Sequence, residues 1–212
     1  MGKAVSMDGH LVVLLSIAAV WLAAGVVADG LPRLDRARAL RRRTGWLLAL
    51  SVAGLTLTAT VLAAGTISGG DTPVDRAAGQ LPLVAVPALA VAACTVRRVR
   101  RLRAGAGAFT AAPETPAPYG LRAAAGHPLI GLPLQVTALA AVPGLLRAGG
   151  LDLSAGNGVT GVALTVGGLA VLAIGVRHGL RHNRLAERTL PGARPALAGL
   201  PASSAAAGSL HV

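Results

Sequence analysis

Residues 38–51 read RALRRRTGWLLALS, with four arginines in the first six positions and an apolar run directly after them. A junction between apolar and basic sequence recurs at Val96-Arg97 and Val176-Arg177. A block of arginines beside an apolar segment is typical of the cytoplasmic end of a transmembrane helix. This stretch therefore predicts a helical membrane protein.

The composition of the chain also predicts a bilayer environment. Hydrophobic residues make up 53% of the 212 positions and the mean hydropathy is +0.64, which is more apolar than a soluble domain. A net charge of +12 would suggest nucleic-acid binding in a soluble protein. Here the arginines flank apolar runs, so we predict no nucleic-acid partner. The single cysteine, Cys94, excludes a disulfide within the chain.

Five apolar segments approach or reach the roughly 20 residues that cross the hydrocarbon core of a bilayer. They are residues 11–28, 46–67, 77–96, 128–146 and 158–176. The third is the weakest because Gln80, Pro82 and Pro87 interrupt it, although neighbouring helices can satisfy a carbonyl that proline frees. We predict an all-α integral membrane protein, a bundle of five transmembrane helices.

The distribution of basic residues predicts the orientation of this bundle. With the N-terminus outside, the inner segments 29–45, 97–127 and 177–212 carry 17 arginines, and the outer segments carry three basic residues. Arginine-rich short loops stay cytoplasmic, so we predict an external N-terminus and a cytoplasmic C-terminus. The excess of arginine over lysine is typical of a GC-rich genome, and we predict a bacterial plasma membrane.

A cleaved signal peptide is the alternative interpretation of the first run, because Val26-Val27-Ala28 offers small residues at the required spacing. We favour a retained helix, since an apolar stretch of 18 residues exceeds the usual signal core. Cleavage would also leave the first arginine block outside.

The remaining segments predict one transmembrane domain over residues 1–188. Residues 104–127 are rich in Pro, Ala and Gly and lack apolar periodicity, so we expect a flexible cytoplasmic linker there. Residues 189–212 have a similar composition and are predicted to form a disordered cytoplasmic tail.

The predicted spans contain no Asp, Glu, Lys, Arg or His, which argues against proton relays and intramembrane enzymes. Their strongest polar residue is Gln135, between Pro133 and Thr137. Gln135 could bind a substrate or ion where Pro133 frees the carbonyl four residues earlier. We favour an interhelical hydrogen bond, worth about 1 kcal/mol. Thr56 and Thr60, one helical turn apart in the second run, invite the same two interpretations.

Small residues recur every seven positions just before and along the fifth run, at Ser154, Gly161, Gly168 and Gly175. Such a small-residue stripe lets two helix backbones approach closely. We expect packing within the chain in preference to a homodimer contact.

Arginines at the predicted inner surface are expected to contact anionic lipid headgroups, each contributing about 1 kcal/mol. These are Arg41, Arg42, Arg43, Arg97, Arg98, Arg100, Arg101, Arg177, Arg181, Arg184 and Arg188. Between the last of them, His178 and His182 stand four residues apart, a spacing that can chelate a metal. The surrounding arginines would repel a cation, so we predict solvated histidines.

Residues 29–33, DGLPR, resemble the start of the CDP-alcohol phosphotransferase motif, in which several aspartates bind metal and a nucleotide-linked diphosphate. The family pattern continues with alanine where this chain has Pro32, and then with two further aspartates that are missing here. A divalent-metal site would then have too few oxygen ligands. We predict no metal ion, no cofactor and no catalytic residues.

The most economical functional prediction is a non-enzymatic membrane component, an accessory or partner-binding protein in contact with lipid headgroups, a protein partner or a second copy of itself. The alternative is a small-molecule carrier or permease subunit with a polar site near Gln135. A lipid-modifying enzyme is the third hypothesis.

Overall fold

A computed structural model describes residues 2–67, 72–109, 116–148 and 158–187. Within these ranges the secondary structure is helical, apart from an isolated bridge between Arg36 and Pro116. The helices are α1 (Gly2–Gly30), α2 (Ala37–Ile67), α3 (Pro73–Ala78), α4 (Pro82–Ala90), α5 (Val96–Gly107), α6 (Tyr119–Ala125), α7 (Pro128–Ala140), α8 (Val142–Ala148) and α9 (Gly158–Glu187).

Five helical stretches are long and apolar enough to cross a membrane: Gly9–Arg33, Ala37–Ile67, Pro82–Gly107, Tyr119–Ala148 and Gly161–Glu187. Each overlaps one predicted run, so the expectation of five such helices is confirmed. The described residues of the three arginine-rich segments meet at one end of the bundle, which we call the arginine end. The predicted tail, residues 189–212, lies outside the described residues.

The third stretch begins later than predicted, at Pro82 instead of residue 77. Residues 77 and 78 instead finish α3, a short helix that Thr72 and Asp75 cap reciprocally at its first turn. The chain breaks there because Pro82 takes the first position of α4, where its missing N–H costs nothing. A π-helical turn, Val91–Thr95, then joins α4 to α5.

The core of the bundle forms where α1 crosses α2 at Trp21. Its indole is fully buried and donates a hydrogen bond from Nε1 to Thr58 Oγ1 at 3.2 Å. Gly54 makes room for the ring, since an added Cβ would lie 2.9 Å from Trp21 Cε2. This close approach positions the first two helices, and α5 and α7 pack around them.

Residues 104–127, predicted as a flexible linker, contain regular structure at both ends. The segment includes the last turn of α5 and all of α6, and residues 110–115 lie outside the described ranges. The N–H of Ala117 donates to the carbonyl of Asp35 at 2.6 Å, and Arg122 forms an ion pair with Asp35 at 3.0 Å. Composition did not predict these contacts, which connect the segment to the turn between α1 and α2.

The last helix, α9, packs mainly against α7 and α6. Its contacts lie toward the arginine end, and only 6% of its most apolar 18-residue stretch is buried. Large apolar side chains along its first half are exposed, at Val162, Val166, Leu169 and Leu172. Thus α9 is attached to the bundle near one end.

Candidate functional site

The carbonyl that Pro133 frees belongs to the ligand-binding alternative for Gln135, and the structure shows its hydrogen-bond partner. Thr95, in the π-helical turn, donates from Oγ1 to the carbonyl of Leu129 at 2.8 Å. Thr137 is fully buried and donates to the carbonyl of Pro133 at 2.6 Å. These two threonines satisfy the backbone carbonyls around the proline, so those carbonyls do not need an ion as a partner.

Gln135 forms the interhelical hydrogen bond that we favoured. Nε2 of His178 on α9 donates to Oε1 of Gln135 on α7 at 3.1 Å. His178 is only 5% exposed, so the prediction of a solvated histidine was wrong at this position. Gly131 creates the space, since an added Cβ would clash with the imidazole, 2.9 Å from Nε2. The spacing of His178 and His182 did not reveal this contact because its partner is 43 residues away.

Thr56 and Thr60 point away from the bundle, so the prediction that they form an internal polar site was wrong. The buried hydroxyls of this helix belong to Thr58, which accepts from Trp21, and to Ser51 and Thr44, which donate to the carbonyls of Leu47 and Leu40 at 2.8 and 2.9 Å. The helix is rotated so that Thr58 faces α1. An all-apolar helix gives no hydrophobic stripe from which that rotation can be read.

Asp29, at the end of α1, is the centre of an arginine cluster that we did not predict. Its carboxylate accepts from Arg177 at 2.8 Å and from Arg181 at 3.0 Å, and Arg33 lies 3.5 Å away. Arg181 also donates to the backbone carbonyl of Asp29 at 2.8 Å. Together with the contact of His178, these bonds attach the end of α9 to α1 and α7.

The same cluster bears on the resemblance to the phosphotransferase motif. The carboxylate of Asp29 is occupied by two guanidinium groups, and the described residues contain no group of three or more His, Cys, Asp or Glu side chains suited to a metal. Within the described part of the chain, DGLPR thus serves as a helix end joined to α9.

Two histidine rings contact each other beside this cluster. The rings of His127 and His182 lie 4.9 Å apart between centroids, tilted by 56°. Nδ1 of His127 accepts from the N–H of Leu129 at 3.1 Å and so caps α7. His182 is partly buried, and its Nδ1 has no hydrogen-bond partner among the described residues. The ring as a whole is partly exposed, so the solvation of His182 stays a prediction.

The small-residue stripe does not pack within the chain as expected. A Cβ added at Gly161 or Gly168 would have no described heavy atom within 4 Å. Only Gly175, nearer the arginine end, faces another helix, with Leu132 Cδ1 at 3.5 Å from the added atom. The prediction of intrachain packing is wrong for Gly161 and Gly168, and Ser154 lies outside the described residues.

The predicted headgroup arginines differ in their surroundings. Arg177 and Arg181 bind Asp29, whereas Arg42 and Arg43 are exposed and have no ion-pair partner among the described residues. The exposed members also include Arg41, Arg97, Arg100, Arg101 and Arg184, while Arg98 is partly buried. Arg188 lies outside the described ranges.

An elongated groove of about 870 Å³ runs between α1, the α7–α8 pair and α9. Its walls are apolar and include Leu15, Leu22, Val26, Ala138, Leu139 and Leu145. Asp29, Arg33, Arg43 and Arg177 line its arginine end, and Gln135 lies between that end and the apolar part. A smaller cavity of about 370 Å³, lined by four arginines, shares Arg33 with the groove. The combination is an apolar groove with a cationic end, which we call its mouth.

No protein-family model, no curated protein and no solved structure matches this chain. Its function must therefore be inferred from its own residues.

Proposed function

We propose that this chain is a multi-pass plasma-membrane protein of a bacterium, without catalytic activity, that binds another membrane protein through α9. The distribution of its arginines supports an orientation with the arginine end in the cytoplasm and the N-terminus outside. A transmembrane helix of the partner would lie along the stripe formed by Gly161 and Gly168.

The observation that carries this proposal is the open small-residue stripe. Apolar exposure alone means little here, because lipid solvates leucine and valine as well as another helix does. Glycine is different, since each one in a helix interior costs about 1 kcal/mol relative to alanine. That cost is recovered where two backbones approach closely, and no described part of this chain approaches Gly161 or Gly168.

The carrier hypothesis has less support. Gln135 does line the groove, but its amide oxygen is bonded to His178. The carbonyl that Pro133 frees is bonded to Thr95. A substrate would have to compete with both bonds, so we retain the partner-binding function.

Photocrosslinking in native membranes tests the proposal. A benzophenone amino acid at Leu172, about 40° around the helix from Gly168, should give one defined crosslinked product. At Val166, about 160° away and also exposed, it should give at least five-fold less. A product of twice the chain's mass would identify the partner as a second copy. Equal, diffuse crosslinking from both positions would contradict docking at the stripe.

A matched pair of glycine substitutions makes the test specific. Gly168→Leu should abolish the Leu172 product, because the new side chain separates the two backbones. Gly167→Leu adds the same side chain on another face, where no described atom lies within 4 Å of an added Cβ, and should preserve the product. Loss in both variants would refute the assignment of the interface.

The orientation is tested separately with single cysteines in a Cys94→Ala background. Thr66, exposed at the end of α2 away from the arginines, should react with an impermeant maleimide in intact cells as Thr66→Cys. Ala104→Cys, exposed on α5 at the arginine end, should react only after permeabilisation. The reverse pattern would overturn the proposed orientation.

A further inference from the structure

We propose that the groove between α1, α7–α8 and α9 is a binding site for one anionic glycerophospholipid, with an acyl chain along its apolar walls and the phosphate at its cationic mouth. This inference goes beyond the partner-binding function and uses a different surface, since neither Leu172 nor Gly168 lines the groove.

The size of the groove fits a lipid chain. Its volume of about 870 Å³ lies in the upper part of the range of about 300–1,000 Å³ for small-molecule sites. Along α1 its wall extends from Asp29 to Leu15, which is about 21 Å at the helical rise. One leaflet of a bilayer contributes about 15 Å of hydrocarbon, so a chain anchored at the arginine end would lie within this wall.

The groove is open toward its surroundings, which lets a lipid enter from the side. Leu22 and Val26 on the α1 wall are 62% and 66% exposed. Both nevertheless line the groove, so an acyl chain lying there would cover apolar surface that faces lipid in any case. The apolar walls therefore allow the acyl chain of any lipid to enter the groove. Selectivity among lipids must come from the charged groups at the mouth.

The charge at the mouth selects an anionic headgroup. Arg33, Arg43 and Arg177 line the mouth together with one carboxylate, that of Asp29, which leaves an excess of two positive charges among these four groups. Arg43 has no ion-pair partner in the described part of the chain, so its guanidinium is available to a phosphate. Arginine suits this role because its planar fork can donate two hydrogen bonds to phosphate oxygens.

Gln135 supplies a polar group below the mouth. It lies beside Gly25, whose added Cβ would be 3.3 Å from Gln135 Cγ, and Gly25 is four residues before Asp29. Gln135 thus lies about 6 Å deeper than the carboxylate along α1. Its amide oxygen accepts from His178, and its amide nitrogen can donate to a glycerol ester carbonyl, which lies just below the phosphate of a glycerophospholipid.

Native mass spectrometry of the purified full chain tests the site, with phosphatidylglycerol as the probe. The wild type should retain one phosphatidylglycerol per chain and bind phosphatidylcholine at least ten-fold more weakly. Glycerophosphoglycerol, the same headgroup without acyl chains, should not bind. Equal binding of both lipids would overturn the role of the mouth, and binding of the free headgroup would overturn the role of the groove.

Matched variants locate the bound lipid. Arg43→Gln should weaken phosphatidylglycerol binding about five-fold, whereas Arg42→Gln, the adjacent exposed arginine outside the groove, should change it less than two-fold. Ala19→Trp should fill the groove and weaken binding at least ten-fold, while Ala59→Trp on exposed α2 should not. Val26→Trp replaces Ala19→Trp if that variant does not fold. Equal losses within either matched pair would refute the site.

Discussion

Gly131→Ala provides a direct test of how α9 is attached to the bundle. The added Cβ would clash with the imidazole of His178, so the histidine must move and its hydrogen bond to Gln135 must break. Overpacking typically costs about 1–3 kcal/mol. The lost hydrogen bond adds about 0.6 kcal/mol, with about 1.7 kcal/mol as an upper value. Alanine recovers about 1 kcal/mol of helix propensity, so the free energy of unfolding should fall by about 1–4 kcal/mol.

The assay is equilibrium unfolding in mixed micelles of a mild detergent and dodecyl sulfate, followed by circular dichroism. Gly168→Ala is the control, because no described atom would meet its Cβ, and it should be neutral or stabilising by up to about 1 kcal/mol. A second His178→Ala substitution removes the ring that clashes, so it should be much less costly in the Gly131→Ala background than alone. Additive effects of the two substitutions would refute the proposed contact.

Two other predictions, each with a control substitution, concern the contacts of α1, α2 and α9. Asp29→Asn should lower the free energy of unfolding by about 1–3 kcal/mol in the same assay, since one hydrogen bond from α9 loses its acceptor and the other loses its negatively charged partner. Asp35→Asn, at a carboxylate that is 77% exposed, should cost under 1 kcal/mol, and equal costs would contradict a structural role for the Asp29 cluster. Thr58→Val should cost about 1 kcal/mol and change the fluorescence of Trp21, whereas exposed Thr60→Val should do neither. If Thr58→Val changed neither the stability nor the fluorescence, the hydrogen bond between Trp21 and Thr58 would be refuted.

The sequence predicted the helical class and the number of long apolar helices because these properties depend on composition and length alone. The arginine blocks likewise marked the helix ends that come together. Helix rotation was not predictable, since a helix that is apolar on every side gives no periodic signal. This is why Thr56 and Thr60 were chosen when the structure buries Thr58.

The polar contacts of α9 were missed for a different reason. Gln135 was identified as a hydrogen-bonding residue, but its partner His178 lies in a segment that looks like a solvated arginine stretch. Asp29 was considered only as part of a metal motif, because its arginine partners are about 150 residues away along the chain. Contacts between distant segments depend on how the helices pack, which a single sequence does not provide.

The ion pairs of Asp29 also impose an order on biosynthesis. Asp29 belongs to α1, and its partner Arg177 is translated 148 residues later. At about 5–20 residues per second, the ribosome needs about 7–30 s to reach that arginine. During this interval Arg33, four residues on, is the one member of the cluster already present to compensate the carboxylate. The charge cluster beside the nascent α1–α2 hairpin therefore stays incomplete until α9 has been synthesised.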